Sequence, residues 1–329
     1  MKNFQLVRAL STASAVGIMS KDTASMFIAG GTNLVDLMKK DVERPDKLID
    51  INGLDLKGIN RLKDKISIGA LAKNSQVAED KIIQEKHPLL ALALAAGASQ
   101  QIRHMATVGG NMLQRTRCPY FYNTDMPCNK RVAKSGCGAI GGYNRMHAIF
   151  GASESCIAVH PSDMCVALAA LDATVCVEGP KGKREIRFGD FHRLPENNPE
   201  KDNTLESKEL IVSVEIPDNA FSKNVHYLKV RDRSSYAFAL VSVAVALDIK
   251  NNRINEARLA LGGVAHKPWR LTEVEKFLKG KTTSEAIFRQ AAAMAMQGAK
   301  GQGENNFKLK LAPNAITEAL TIAASNNRL

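Results

Sequence analysis

The 329 residues, 45% of them hydrophobic, are enough for two or three domains with buried cores and exclude a disordered chain. The formal charge of +12 comes from scattered Lys and Arg with no long basic run and few interleaved aromatics. That argues against nucleic-acid binding, and an anionic cofactor or an acidic partner surface accounts for the charge equally well. No apolar run approaches about 18 residues without charge or glycine, so no membrane span is expected, and the first 22 residues lack the apolar stretch of a signal peptide.

In chain order, residues 2–8 read as a strand, and residues 11–20 as a helix with Ser11 or Thr12 as cap. Residues 26–40, MFIAGGTNLVDLMKK, read as strand, Gly-Gly turn and helix, with Thr32 or Asn33 able to cap. Backbone N–H groups converge at such a turn and no side chain blocks approach, a geometry suited to a diphosphate but also to an ordinary turn. Strands follow at 47–52 and 66–70, a short helix from Ala72 to Glu79, and a buried helix over 88–99 opened by Pro88. Residues 106–112, ATVGGNM, form a second Gly-Gly loop, and the pair suggests a dinucleotide gripped from two sides.

The stretch from Val108 to Met164 then holds four of the six cysteines, Cys118, Cys128, Cys137 and Cys156, with nine, eight and eighteen residues between them. A loop this long is rarely idle in a compact domain. Four thiolates suit a metal or iron–sulfur centre, although two disulfides or unconnected thiols give the same count. The spacing lacks the short C-x2-C pairs of zinc ribbons and the bacterial ferredoxin run. Arg115, Arg117, Lys130, Arg131 and Lys134 either offset an anionic cluster or are solvated loop charges. Beyond this loop Ser162 caps a helix, strands are expected at 174–178, 184–188 and 210–216, and Cys165 and Cys176 read as core residues. A boundary falls near 218–224. After it come strands within 226–233, 237–249 and 257–264, then helices over 272–280, 284–297 and 315–324.

Taken together, FIAGGTNLVDLMK, ATVGGN, HPSDMCVALAALDATV, ELIVSVEIP, YLKVRDRSSYAFALVSVAVAL and ARLALGGVAHKPWR resemble the FAD-binding medium subunits of the molybdenum hydroxylases, the xanthine dehydrogenase and carbon monoxide dehydrogenase family. The resemblance covers nearly the whole chain. It implies an α+β fold: a two-subdomain FAD-binding domain (PCMH/VAO-like) over 1–220, then a smaller domain over 221–329 with a three-stranded antiparallel sheet and helices. Most of that family passes almost directly from GGN to the P-x-x-D segment, whereas here an insertion at about 113–157 carries the cysteines. In this it is similar to the aldehyde oxidoreductase FAD subunits of bacterial periplasm, which carry an additional [4Fe–4S] cluster.

The resemblance further implies that Met26, Phe27, Ile28, Ala29, Gly30, Gly31, Thr32, Asn33 and Leu34 line the FAD, with backbone N–H groups of residues 28–34 around the diphosphate. Thr107 and Asn111 would hydrogen-bond diphosphate or flavin oxygens beside Gly109 and Gly110. Asp163 would accept from ribose hydroxyls, or simply favour its helix N-terminus. Lys229 would lie near the pyrimidine edge of the flavin, or be a strand lysine, and Ile211 would pack on the ring. Cys118, Cys128, Cys137 and Cys156 would hold the cluster, with His147 and His160 structural or hydrogen-bonding and Trp269 in the core. No catalytic residue is expected. Substrate oxidation would occur on a molybdenum-cofactor large subunit, and electrons would reach FAD through a [2Fe–2S] small subunit and leave to an external acceptor. A stand-alone flavin oxidase and a non-catalytic assembly subunit stapled by zinc or disulfides are the rival readings. Export to the periplasm would rely on a signal-bearing partner, with cytoplasmic residence as the alternative.

Overall fold

The computed structural model describes residues 1–22 and 24–325. Three sheets organise them. In the first, β1 (Gln5–Arg8), β3 (Lys47–Asp50) and β2 (Ser25–Ile28) pair in parallel in the order β1-β3-β2. Parallel strands need crossovers: the helix Thr12–Lys21 joins β1 to β2, and the helix Leu34–Lys39 joins β2 to its neighbour β3. Ser11 starts that helix through a reciprocal bond with Ser14, each hydroxyl accepting the other's backbone N–H.

The second sheet is antiparallel, in the order β4 (Ile59–Arg61), β5 (Lys65–Gly69), β8 (Leu210–Pro217), β6 (Thr174–Gly179), β7 (Gly182–Arg187). Its inner residues, among them Ile66, Ile68, Val175, Val214 and Ile216, are fully buried with the helices Pro88–Ala96 and Asp163–Ala170.

The third sheet joins β9 (Asn224–Val230), β10 (Val241–Lys250), β11 (Arg253–Gly262) and the two-residue β12 (Trp269–Arg270), all antiparallel. Asn251 and Asn252, both with positive φ, make the tight turn between β10 and β11. The run VSVAVAL of β10 is buried on both faces, and its alternation sorts two kinds of apolar residue. Val241, Val243, Val245 and Leu247 face the C-terminal helices Thr272–Leu278, Glu285–Ala295 and Lys308–Ala324. Ala244 and Ala246, with Ala260 of β11, join the core of the preceding domain. The small side chains let the two domains approach closely.

Several elements differ from expectation. The C-terminal sheet has a fourth strand, β12, too short to show any periodicity. The last helix begins at Lys308 and runs through Pro313, because one face, from Lys308 and Ala312 to Ala323, is buried. Residues 106–112 are not all loop: Thr107 caps a single helical turn, Val108–Met112. Strand β4 and the helices Lys81–Lys86 and Gln100–Met105 were not anticipated. Trp269 is half-buried and stacks on Phe150 at a centroid distance of 5.1 Å.

Residues 113–157 run between the domains with little regular structure, a short helix Pro119–Tyr122 and isolated bridges pairing Cys128 with Cys137 and Ser153 with Cys156. The C-terminal domain stitches them in place. Ile149 and Phe150 donate N–H to Val264 O, and the buried Lys308 ammonium donates to His147 O at 3.0 Å and Gly263 O at 2.7 Å. Burial, reinforced by the Arg145 charge, lowers the Lys308 pKa to about 7. An unfolded lysine titrates near ~10.4, so between pH ~7 and ~10 the unfolded chain holds a proton that the folded one has released. Stability should therefore rise with pH across that window, on the order of 4 kcal/mol from this residue. Urea unfolding of the protein and of Lys308→Met at pH 7, 8, 9 and 10 should show the difference moving in the wild type's favour as pH increases, and a pH-independent difference would contradict this.

Candidate functional site

The two Gly-Gly segments meet. Gly31, in the left-handed region at φ +71°, turns the chain from β2 into the helix Leu34–Lys39. A Cβ on Gly30 would lie 2.0 Å from the carbonyl oxygen of Met105, just before the second segment. Gly109 in turn rests on the chain after β5, donating to Ala70 O at 2.8 Å, and Thr107 Oγ1 accepts from Gly110 N at 3.3 Å. Asn33 ties the first loop to the start of the cysteine segment, its Oδ1 accepting from Arg115 N at 2.9 Å. Its Nδ2 is buried and, among the described residues, without a partner, a donor that a phosphate oxygen would satisfy. Asn111 Oδ1 accepts from Ser162 Oγ at 2.6 Å and Gln114 Nε2 at 2.7 Å, joining the second loop to the cap of the helix Asp163–Ala170.

Asp163 and Lys229 come together, but with each other. Lys229 Nζ donates to Asp163 Oδ2 at 2.7 Å and to Ala96 O at 3.1 Å, and both side chains are less than a tenth exposed. Tyr227 Oη donates to Asp163 Oδ1 at 2.8 Å, so both carboxylate oxygens are engaged. Burial, then the Asp163 charge, holds the Tyr227 phenol well above its ordinary range. Ile211 lies buried in β8. A cavity of about 130 Å³ joins this network to the cysteine segment, lined by Ser162, Asp163 and Ser242 at one end and by Cys118, Met146 and His147 at the other.

The four cysteines converge from four turns of the loop. Cys137 and Cys156 share a thiol hydrogen bond that lowers the former's pKa to about 6 and raises the latter's. Cys128 pairs with Cys137 through the backbone, and Cys118, pushed up to about 11 by burial, feels the charges of Cys128 and Cys137. Among the described residues, the sets of three ligand atoms all within 4.8 Å of one another are His160–Cys165–His192 and Cys176–Glu185–Glu215. No three loop sulfurs close to the ~3.8 Å separations of a tetrahedral zinc with ~2.3 Å Zn–S bonds. Cys165, pushed up to about 12, and Cys176, also raised, take their shifts chiefly from burial.

The basic residues divide by role. Arg131 donates to the carbonyls of Tyr120, Phe121, Thr124 and Met126 and so clamps the turn between Cys118 and Cys128. Lys130, fully buried, donates to Pro199 O at 2.8 Å and pairs with Asp202, and its charge favours the Cys156 thiolate. Arg115 pairs with Asp202 at 2.7 Å and Glu43 at 2.8 Å. Burial would raise the Asp202 pKa, but Lys130 and Arg115 together hold it well below the carboxylate range. Arg117 reaches Tyr122 Oη at 2.5 Å, and Lys134 is exposed. Two imidazoles touch sulfur, His147 Nε2 at 3.1 Å from Cys118 Sγ and His266 Nε2 at 3.3 Å from Cys156 Sγ. Neither His266 nor Asp202 was singled out by the sequence, since His266 lies 110 positions from Cys156 and Asp202 lies 72 positions from Lys130.

Gly30→Ala should drive the two Gly-Gly segments apart and cut bound flavin per chain more than tenfold, measured after denaturation by absorbance. Gly17→Ala, with open space around the new methyl group, serves as the control and should keep its flavin. Full flavin in Gly30→Ala would contradict the cradle.

Residues 2–219 match the family described as the FAD binding domain in molybdopterin dehydrogenase, and residues 226–323 match the CO dehydrogenase flavoprotein C-terminal domain. The chain is 45% identical over 326 residues to the aldehyde oxidoreductase FAD-binding subunit of Escherichia coli, covering 98% of this chain and 99% of that one. It is 29% identical over 291 residues to the glyceraldehyde dehydrogenase medium chain of Sulfolobus acidocaldarius, covering 88% and 86%. Carbon monoxide dehydrogenase from Hydrogenophaga pseudoflava shares the fold, with a TM-score of 0.77 at 23% identity over 98% of each chain. The chain therefore belongs to the FAD-binding medium subunits of the molybdenum hydroxylase family, a family of oxidoreductases.

Proposed function

We propose that this chain is the electron-transfer subunit, carrying FAD and one [4Fe–4S] cluster, of a heteromeric molybdenum-containing aldehyde oxidoreductase. The observation that carries the cluster half of the reading is the convergence of Cys118, Cys128, Cys137 and Cys156 in one loop, with the buried Lys130 charge acting on Cys156 and, among the described residues, no three of the four sulfurs all within 4.8 Å of one another. Four thiolates satisfy a cubane, and the cation offsets part of their charge. The full-length similarity to an aldehyde oxidoreductase subunit supports the substrate class and the partners, a molybdenum-cofactor large subunit and a [2Fe–2S] small subunit.

Flavin supplies the conversion between two-electron and one-electron carriers. The chain's own residues bind and shield. At the start of the helix Leu34–Lys39 the buried Asn33 amide group, without a partner among the described residues, offers a donor for phosphate. Thr107 and Gly110 set the turn of the second loop and Gly109 ties it to Ala70, Gly30 lets the first loop approach Met105, and Lys229 keeps a positive charge at Asp163. Arg131 and Lys130 hold the sulfurs in place while the surrounding domains exclude water. Electrons would leave to an external acceptor, and export to the periplasm would follow a signal-bearing partner.

Serine at Cys118, Cys128, Cys137 or Cys156 should each remove most cluster iron and leave most FAD, whereas Cys165→Ser and Cys176→Ser should keep both. Iron and flavin analysis of anaerobically purified protein checks this. Loss of iron from Cys176→Ser but not from Cys137→Ser would overturn the ligand assignment.

A further inference from the structure

We propose that His147 and His266 are positioning residues that donate N–H···S hydrogen bonds to Cys118 and Cys156 and thereby raise the reduction potential of the centre those cysteines hold. This rests on the cluster reading above.

The geometry is the same at two independent points. His147 Nε2 lies 3.1 Å from Cys118 Sγ and His266 Nε2 lies 3.3 Å from Cys156 Sγ. In both rings the other nitrogen, Nδ1, is buried and, among the described residues, makes no hydrogen bond of normal geometry, the Asn144 carbonyl acting on the His147 ring only as a minor influence beside burial. A neutral imidazole carries one proton. On Nδ1 that proton would be stranded in a dry interior, whereas on Nε2 it meets sulfur. Both rings therefore favour the Nε2–H tautomer, with the donor aimed at a ligand.

Neither ring is free to turn away. The backbone of His147 is fixed on both sides. Its N–H donates to Asn144 O at 3.0 Å, and its carbonyl accepts from Asn305 Nδ2 at 3.1 Å and Lys308 Nζ at 3.0 Å. His266 follows Ala265, whose carbonyl accepts the His160 N–H at 2.9 Å, and it is itself buried. The two donors come from different parts of the chain, one from the cysteine insertion and one from the segment between β11 and β12. The C-terminal domain thus contributes directly to the environment of the sulfurs, a role its apolar composition does not announce.

The consequence follows from charge. Reduction adds one electron to a centre that is already anionic, and part of that charge resides on the thiolate sulfurs. An N–H dipole aimed at sulfur stabilises the more negative state more than the less negative one, so it raises the potential. An apolar side chain of similar size removes the dipole and leaves the sulfur in place.

The test uses the full chain purified anaerobically with its partner subunits. In a dye-mediated titration followed by EPR, His147→Leu and His266→Leu should each make cluster reduction about tenfold less favourable, which is about 59 mV lower for a one-electron couple. Iron, sulfide and flavin content should be unchanged. His147→Gln and His266→Gln, which retain an amide N–H, should recover most of the shift, as a merely space-filling role would not require. Unchanged potentials in both Leu variants with iron retained would overturn the inference. Should the Leu variants lose iron, the unsubstituted protein with 15N-labelled histidine decides. Pulsed EPR of its reduced cluster should show imidazole nitrogen and exchangeable-proton couplings, and their absence would overturn the inference. Unsubstituted protein that binds flavin but no iron would instead overturn the cluster reading itself.

Discussion

Asp202 stands between Lys130 and Arg115, and the order of the cysteine segment depends on it. Lys130 is fully buried, and an ammonium in that position is tolerated only while a carboxylate and a carbonyl oxygen answer it. Removing the carboxylate would leave the charge uncompensated, a loss of about 3–5 kcal/mol for buried pairs. Arg115 meets the same carboxylate and also Glu43, next to the first Gly-Gly helix. One small ionic group therefore fastens the cysteine segment to both the polar loop near Pro199 and the wall of the dinucleotide cradle. A segment of 45 residues with so little regular structure cannot be held by its own backbone ladder, so side chains hold it.

The position of that segment is set by how the two domains dock. The valines of β10 pack under the C-terminal helices, and its alanines press into the core of the flavin-binding domain. The same sheet carries Lys229 and Tyr227 on β9, which reach across to Asp163 in the first domain. Beyond β11 it leads into His266 beside Cys156. The Asp163–Lys229 ion pair and the His266 contact to Cys156 thus both depend on the apolar docking of β10 between the two cores. A cavity lined by both Asp163 and Cys118 also touches Ser242 of β10 and Gly262 of β11.

Much of this was legible in the chain because it rests on local chemistry. Gly30 and Gly31 after an apolar run, Thr107 before a second Gly-Gly, Ser162 as a cap and four cysteines in one loop each announce themselves within a few residues. What was hidden depends on long-range closure. Asp163 and Lys229 read separately as ribose and flavin partners, but folding brings them 2.7 Å apart. His266 lies 110 positions from the cysteine it meets, in the segment between β11 and β12, and nothing local to it announces a sulfur partner. The last helix was expected over 315–324, yet burial of one helical face carries it from Lys308 through Pro313. The two-residue β12 is too short for periodicity to register.

The measurement that bears most directly on the account is an absorption spectrum of the protein purified without oxygen, with iron, sulfide and flavin quantified on the same sample. The expected result is about four iron and about four sulfide per FAD, with a broad band near ~400 nm beneath the flavin peaks. Flavin with no iron, or stoichiometric zinc in place of iron, would contradict the central claim that the four loop cysteines hold an iron–sulfur cluster beside the flavin cradle.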